Sequence, residues 1–347
     1  MKKSDINQNI PYNWDICGHE KIVSFLSTGL KNNHLGHAYI FWGVSSLGKL
    51  AVADKFIKSL FCDGDDGHKA GDNCFSCRQI ENGLHPDVYR VARANDEKTG
   101  KLKRDLIIDQ MRDLKSKLQQ GTLLNGYKVA VISEAHLINN KAANSLLKLL
   151  EEPTPKTIVI LLADNIEDIP ATIISRCQVI KFLPVPSETI DNYLIEKGYN
   201  QDIAKVASRL AVGRPGLAIN WSHQDQSLAD YQQKTELFLR LMSADLTQRL
   251  SLVDELISWD KDESININRV KELLDCWSLA IRDCLLVGRG NDYLTSNFDL
   301  LDKIRPLSAN SSFSRLKKII SQMKQLKIFL DDNLSSRNLL ENLIINL

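Results

Sequence analysis

The sequence predicts an α/β core built on a mostly parallel sheet of the P-loop type, followed by helical regions. Short apolar runs rich in β-branched residues alternate with helical segments over the first half of the chain, a pattern typical of parallel sheets covered by helices. The segment Gly43-Val44-Ser45-Ser46-Leu47-Gly48-Lys49-Leu50 directly follows the first of these runs. It nearly matches the phosphate-binding pattern G-x-x-x-x-G-K-[ST], which joins a strand to a helix.

Bulk composition excludes several classes of protein. The 347 residues are enough for two or three domains, and 44 Lys+Arg against 43 Asp+Glu leave a net charge of +1, which argues against a basic nucleic-acid coat. No apolar run reaches about 18 residues, so no membrane span is predicted. The polar segment after Met1 argues against a signal peptide. Seven cysteines in so long a chain favour reduced thiols and a cytoplasmic location.

The predicted strands are five apolar runs, at 39–41, 88–91, 129–132, 158–162 and 179–182. Three connections between them show helical periodicity. The first follows the P-loop, the second begins near Asp109, which can cap it, and the third stops before Pro153. The alternation therefore gives strands with crossover helices, as a parallel sheet requires.

The chain is predicted to have three parts. Leu183-Pro184-Val185-Pro186 ends the sheet pattern, and everything beyond it has helical periodicity. We expect an α/β core at 1–185, a small helical lid at 186–222 and an all-α C-terminal domain at 223–347. The clearest C-terminal helix carries one apolar stripe, formed by Val270, Leu273, Leu274, Trp277, Ile281 and Cys284.

The P-loop motif lacks the residues that hold magnesium. Leu50 stands where a hydroxyl is needed, and Ser133 follows the third strand where an acidic metal ligand is expected. Gly43, Gly48 and Lys49 could still contact phosphate, so ATP binding is expected to be weak or absent. A solvated lysine without a ligand is an equally weighted interpretation of Lys49.

A cysteine knuckle is predicted at about 62–77. Cys74-Phe75-Ser76-Cys77 is a C-x-x-C pair that can hold one side of a tetrahedral zinc ion, and Cys62 can close from the other side. The alternative is three reduced thiols without a metal. No nucleophilic Ser/His/Asp or Cys/His arrangement can be placed.

Four stretches together resemble the clamp-loader branch of the AAA+ proteins, the branch found in bacterial DNA polymerase III. They are His37–Gly43, Gly83–Asp87, Ala142–Pro153 and Thr172–Cys177. The resemblance covers about 20–220, and the rest of the chain matches only in helical character. It implies an AAA+ core, a helical lid and a C-terminal collar that joins subunits.

The resemblance implies a subunit that does not hydrolyse ATP. Leu50, Ser133 and the Ala163-Asp164 pair depart from the motor subunits of the family, and Glu134, a base in active members, is expected to be structural. Motor (gamma/tau-type) and delta subunits would be the neighbours in a five-subunit ring. The ring would load a sliding clamp on primed DNA within the polymerase holoenzyme, away from any membrane.

Arg176 is the residue to which the resemblance assigns catalysis in trans. In the family the Ser-Arg-Cys motif, here Ser175-Arg176-Cys177, lies at a subunit edge, and its arginine reaches the ATP of the neighbouring subunit. Such a finger stabilises charge developing on the γ-phosphate. The alternative is a surface arginine in an interface salt bridge. Arg214 lies where the family places a nucleotide sensor, but a helix start with Pro215 in its first turn is favoured.

The resemblance also implies a fourth zinc ligand. The family has a cysteine three residues before Cys74, where this chain has Gly71. His68 is the nearest replacement, because imidazole is a common zinc ligand, and Asp72 is a weaker candidate.

Two other functions stay open. One is an active AAA+ motor in which Ser46 or water replaces the missing hydroxyl. The other is a zinc-stabilised nucleic-acid-binding module, which the near-neutral charge and the lack of a basic stripe disfavour.

Overall fold

The computed structural model of the chain describes residues 12, 14–63, 74–95, 103, 105–124, 126–223, 225–257, 263–331 and 336–347, with the backbone alone for 225–226, 253–257, 263–266, 268 and 331. The chain divides into two compact units. One comprises Met1–Tyr193 with Gly213–Leu217, and the other comprises Leu194–Val212 with Ala218–Leu347. The three-part division at 185 and 222 stays a prediction.

Five parallel strands form the sheet of the first unit, as predicted. They are β1 (Ala38–Trp42), β2 (Val88–Val91), β3 (Lys128–Ile132), β4 (Thr157–Ala163) and β5 (Gln178–Lys181). Their order is β2-β3-β4-β1-β5, and every neighbouring pair is parallel. Because parallel strands run in one direction, all five carboxyl ends meet at the same edge of the sheet.

Helices cover both faces of this sheet. Those of the first unit are α1 (Glu20–Lys31), α2 (Lys49–Phe61), α3 (Phe75–Glu81), α4 (Ile108–Gln119), α5 (Asn140–Glu151) and α6 (Ala171–Ile174). Successive strand residues point to opposite faces. Ile40 packs with buried residues of α4 and α5, whereas Phe41 packs with those of α1 and α2. Both faces of the central strands β1, β3 and β4 are therefore buried, which explains why these three strands are almost continuously apolar.

The N-terminus of α4 corrects one expectation from the sequence. Asp109 is not the cap, because α4 begins at Ile108 and Asp109 already lies in its first turn. The amide of Ile107 instead donates to Oε1 of Gln110, at 3.2 Å. Asp109 forms a loose surface ion pair with Arg112, at 3.5 Å.

The remaining chain is helical, as the sequence predicts. Its helices are α7 (Ser187–Glu196), α8 (Gln201–Leu210), α9 (Pro215–His223), α10 (Asp225–Ser243), α11 (Leu246–Ile257), α12 (Glu263–Val287), α13 (Leu301–Asn310), α14 (Phe313–Asp331) and α15 (Ser336–Ile345). The whole predicted stripe of α12 is buried. Trp277 stacks on Phe238 of α10 with ring centroids 5.2 Å apart. Among the described residues, no helix is both long and apolar enough to cross a bilayer. The predicted fold class, an α/β core on a parallel P-loop-type sheet followed by helical regions, is confirmed.

The Gly83–Asp87 turn has a structural role at the edge of the sheet opposite the carboxyl ends of the strands, directly before β2. The side chain of Asp87 is fully buried, and its two oxygens accept the amides of Leu123 and Leu124, at 3.0 and 3.1 Å. The amide of Asp87 donates to Nδ1 of His85, at 3.3 Å. One buried carboxylate therefore positions the loop that leads into β3.

Replacing Asp87 with alanine is expected to lower the free energy of unfolding by about 3 kcal/mol, because two backbone amides lose their bonds to a buried, charged acceptor. Urea unfolding of the full chain measures the change. Asp113→Ala is the matched control, since Asp113 forms only a surface pair with Lys117 at 2.7 Å, and it is expected to change stability by at most about 0.5 kcal/mol. Similar effects of the two substitutions would contradict this role for Asp87.

Candidate functional site

The P-loop lies at the carboxyl edge of the sheet, between the end of β1 and the start of α2. Gly43 has a φ of +145°, and a Cβ there would lie 2.5 Å from the carbonyl oxygen of Phe182. Gly48, directly before α2, has a φ of +94°, a region that side chains disfavour. The two glycines of the motif are therefore required by the backbone path itself.

Lys49 points back into this loop and is bonded within the chain. Its side chain is 9% exposed, and its Nζ lies 2.8 Å from Oδ1 of Asp164. The same ammonium donates to the carbonyl oxygens of Gly43 and Val44. The interpretation of Lys49 as a solvated lysine is therefore wrong, although the group that it binds here is an internal carboxylate.

Leu50 and Ser133, the residues that stand where magnesium ligands are expected, both lie at the carboxyl edge of the sheet. Leu50 is 45% exposed and offers no oxygen. Ser133 uses its amide to bond the carbonyl of Val91, at 2.8 Å, and brings no carboxylate. Among the described residues, the one group of three or more His, Cys, Asp or Glu side chains close enough to share a metal ion lies elsewhere, in the cysteine knuckle.

Glu134 forms a bidentate ion pair with Arg93. The Nε and Nη2 atoms of Arg93 donate to the two carboxylate oxygens, at 2.8 and 2.7 Å. Parallel pairing places Val91 opposite Ile132, so residues just beyond these two strand ends are neighbours. No sequence motif indicates this role for Arg93, although the order of β2 and β3 would have indicated it.

His19 contacts the P-loop at Leu47, and no sequence motif indicates this role either. Its Nε2 donates to the carbonyl oxygen of Leu47, at 2.7 Å, and its ring lies 4.8 Å from that of Phe182. Burial lowers the pKa of His19 below its usual 6.5, while the Leu47 carbonyl and the nearby Glu20 act in the opposite direction. The neutral imidazole is therefore the favoured form at this position.

The segment that contains Arg214 contacts the P-loop through a backbone hydrogen bond. The amide of Gly216 donates to the carbonyl oxygen of Ser46, at 2.9 Å, and a Cβ at Gly216 would lie 3.0 Å from that oxygen. Pro215 is the first residue of α9, which confirms the predicted helix start. Arg214 itself is engaged in interactions within the chain.

Arg176 lies directly beyond α6 on the surface of the core. Its Nη2 lies 2.8 Å from Oε1 of Glu151, and its Nη1 donates to the carbonyl of Thr172 and the hydroxyl of Ser175, at 2.9 and 3.2 Å. The side chain is 36% exposed. The Nε–H has no acceptor in the described part of the chain. The guanidinium is thus oriented by its own subunit while part of its fork stays open.

The three knuckle cysteines converge. Cys62 follows α2, Cys74 caps the start of α3, and Cys77 lies in the first turn of α3. Their Sγ atoms lie within 4.8 Å of one another, and those of Cys62 and Cys74 are 3.9 Å apart. Two sulfurs bound to one tetrahedral zinc at about 2.3 Å are separated by about 3.8 Å. The spacing therefore fits shared coordination.

The thiols of the knuckle differ in acidity. For Cys74, burial acts to raise the pKa, but hydrogen bonds from Cys77 and its neighbours outweigh it and lower the pKa from 9.0. The amide of Cys77 donates to Sγ of Cys74 at 3.3 Å. Burial and the two neighbouring sulfurs raise the pKa of Cys77 to about 12. His68, Gly71 and Asp72 lie outside the described residues.

The other four cysteines have the character of packed thiols. All seven cysteines are free. Burial raises the pKa of each of these four to about 12, a group that comprises Cys17, Cys177, Cys276 and Cys284. A thiol with so high a pKa is a poor nucleophile.

Comparison with known proteins gives a consistent set of relatives. The family described as DNA polymerase III, delta subunit, matches residues 18–186. Subunit delta' of DNA polymerase III from Bacillus subtilis is 27% identical over 327 residues, which cover 94% of this chain and 95% of that protein. Subunit delta' from Escherichia coli is 31% identical over 221 residues, covering 62% of this chain and 63% of that protein.

A tau subunit matches about half of the chain. Subunit tau of DNA polymerase III from Bacillus subtilis is 34% identical over 176 residues, which are 51% of this chain and 30% of tau. The similarity to this relative therefore covers about half of this chain, whereas the similarity to the Bacillus delta' subunit extends over nearly the whole length of both proteins.

The neutral state of His19 predicts a pH dependence of stability. In the unfolded chain the imidazole gains a proton as pH falls through about 6.5, whereas the folded state resists protonation because the pKa is lowered. The unfolded state then binds more protons, so stability is lost as pH falls from about 7 towards the folded pKa. Urea unfolding from pH 7.5 to 5.5 should show a smaller loss in His19→Gln than in the wild type. The exposed His34, changed to Gln, is the control and should leave the loss unchanged.

Proposed function

The chain is a relative of the delta' subunit of DNA polymerase III along 94% of its length, and on that premise we propose that it is the non-hydrolysing subunit of a clamp loader, supplying Arg176 to the ATP site of a neighbouring motor subunit. It has no catalysis of its own and acts as part of the clamp-loader ATPase. The observation that carries the proposal is the pairing of an oriented, partly open arginine with a P-loop whose own lysine is bonded internally.

The absence of hydrolysis is supported by three independent features of the P-loop region. Leu50 removes the hydroxyl that holds magnesium. The ammonium of Lys49 already contacts Asp164 and two carbonyls. The carboxylate of Glu134 is bound by Arg93 and is not available as a base for an attacking water. Each feature removes a group that ATP hydrolysis needs.

The finger role is supported by the energetics of the Arg176 side chain. Its ion pair with Glu151 is about half exposed on the Glu151 side, and exposed pairs of this kind contribute only about 0–1 kcal/mol. The guanidinium can therefore leave Glu151 for a γ-phosphate of a neighbouring subunit at small cost. The bond from Nη1 to the Thr172 carbonyl holds the guanidinium in place, while Nη2 contacts Glu151 and the Nε–H has no acceptor among the described residues.

Similarity to the delta' and tau subunits of DNA polymerase III supports a proposed assembly of several subunits. A hetero-pentamer of this chain with motor (gamma/tau-type) and delta subunits would act on the sliding clamp and primed DNA in the bacterial cytoplasm. The helices of 223–347 would form the collar of that ring. In this arrangement the chain contributes a fixed surface and one positive charge, while ATP is consumed by its neighbour.

We further propose that the knuckle holds a structural zinc ion, with Cys62, Cys74 and Cys77 as ligands and His68 as the fourth. The sulfur spacing of 3.9 Å and the amide donated to Sγ of Cys74 are the features that fit it. Zinc bound by thiolates cross-links the end of α2 to the start of α3, and such sites contribute to folding rather than to catalysis.

The arginine proposal is tested by ATP turnover of a reconstituted clamp loader with clamp and primed DNA. Arg176→Ala is expected to slow hydrolysis at the site that it faces by about 10³-fold or more, so the ring loses the share of turnover which that site provides. Arg176→Lys should restore little, because lysine lacks the planar fork.

Two controls make this test decisive. Arg112→Ala removes an exposed arginine of α4 and should leave turnover unchanged, and ring assembly is checked by size-exclusion chromatography for every variant. Full turnover by an intact Arg176→Ala ring would refute the finger. Magnesium-dependent hydrolysis by the isolated wild-type chain would favour the motor function instead.

The zinc proposal is tested by elemental analysis of protein purified without chelator. The wild type should carry about one zinc per chain, and Cys74→Ser and His68→Ala should each reduce the content. Cys177→Ser, which lies outside the knuckle, is the control. A wild type that stays free of zinc after incubation with the metal would contradict the proposal, and full zinc content in His68→Ala would assign the fourth position to another ligand.

A further inference from the structure

Lys49 has no hydrogen-bond donor left for a ligand. An ammonium group carries three donors, and in this chain they meet the carbonyl oxygens of Gly43 and Val44 and the carboxylate of Asp164. The side chain is only 9% exposed. A phosphate that enters the loop would have to displace one of these acceptors. Of the three, only the carboxylate of Asp164 is negatively charged, as the phosphate is.

Asp164 is held in place by the sheet. Parallel pairing sets Trp42 of β1 opposite Ala163 of β4, and the amide of Gly43 donates to the carbonyl of Ala163, at 3.2 Å. Asp164 is the next residue after β4, and its own amide donates to Nδ1 of His136, at 3.2 Å. The carboxylate therefore faces the P-loop lysine because of the strand register, not because of a chance surface contact.

The other half of the phosphate cradle is still free. In the described structure, the backbone amides of Ser45, Ser46 and Gly48 donate to no acceptor, and the loop keeps the positive φ values of Ser46 and Gly48. Such amides beside a helix N-terminus attract anions. The loop thus differs from a working phosphate site chiefly in what its lysine binds.

We infer that Asp164 excludes nucleotide phosphates from this P-loop by acting as an internal anion for Lys49. The carboxylate of Asp164 lies beside the loop amides, where its negative charge repels an incoming phosphate. It also binds the Lys49 ammonium, which would otherwise attract that phosphate. This role is separate from the loss of magnesium ligands at Leu50 and Ser133, because phosphate can bind a P-loop lysine and amides without metal. The inference deepens the proposed non-hydrolysing function by naming the residue that closes the site.

The test measures binding of inorganic pyrophosphate and ADP to the isolated full chain in EDTA, by calorimetry. Asp164→Asn removes the charge with almost no change of shape and is expected to tighten pyrophosphate binding at least about tenfold relative to the wild type. Asp164→Ala is the second variant and should behave alike. Asp168→Asn makes the same charge change on an exposed side chain four residues later and should leave the affinity unchanged.

A double variant tests whether the gain in pyrophosphate affinity depends on Lys49. Lys49→Ala combined with Asp164→Asn should lose the gain, because the freed lysine is the group that contacts phosphate; retention of the full gain would overturn the role of Lys49. Wild-type affinity equal to that of Asp164→Asn, or no gain in either Asp164 variant while its thermal unfolding stays cooperative, would overturn the inference. The assay contains no other subunit, so its result is independent of the Arg176 test.

Discussion

The parallel register of the five strands is the constraint on which the polar contacts of this chain depend. Pairing of Trp42 with Ala163 sets the P-loop beside Asp164, and pairing of Val91 with Ile132 sets Arg93 beside Glu134. Both ion pairs form just beyond strand ends, where side chains from separate parts of the sequence converge. Ligand sites of open α/β sheets lie at this same edge, so the chain keeps the location of a nucleotide site while its charged groups bind one another.

These two ion pairs contribute little stability, and their importance is that they engage side chains that a nucleotide site would use. Asp164 is 46% exposed and Glu134 is 39% exposed, so solvent screens both interactions and limits each to roughly the range of surface salt bridges, about 0–1 kcal/mol. Their consequence is chemical. The lysine that would bind phosphate and the carboxylate that would orient water both have partners inside the protein, and the loop does not need a nucleotide to neutralise its charge.

Arg176 shows the opposite arrangement, and the proposed division of labour between subunits rests on this contrast. Its partner Glu151 ends a helix on the surface, the pair is open to solvent, and one N–H of the fork has no acceptor in the part of the chain that the structure describes. Lys49 and Arg93 are bound by carboxylates near the P-loop, whereas Arg176 is partly open to solvent. The proposed role, in which the chain lends a charge without using ATP, needs this combination.

Much of this could be read from the sequence, because it depends on local pattern. The five strands, the P-loop glycines, the loss of oxygen ligands at positions 50 and 133, the start of α9 at Pro215 and the C-x-x-C pair are all matters of residue type and short spacing, which fix backbone conformation and available donors. The tertiary structure alone decided the partners. That Lys49 meets Asp164, 115 residues later in the chain, that Arg93 binds Glu134 and that His19 supports Leu47 all follow from strand order and register, and those are set by which apolar faces pack together and not by any local signal. For the same reason the capping role expected of Asp109 failed, since the packing of α4 decides where that helix begins.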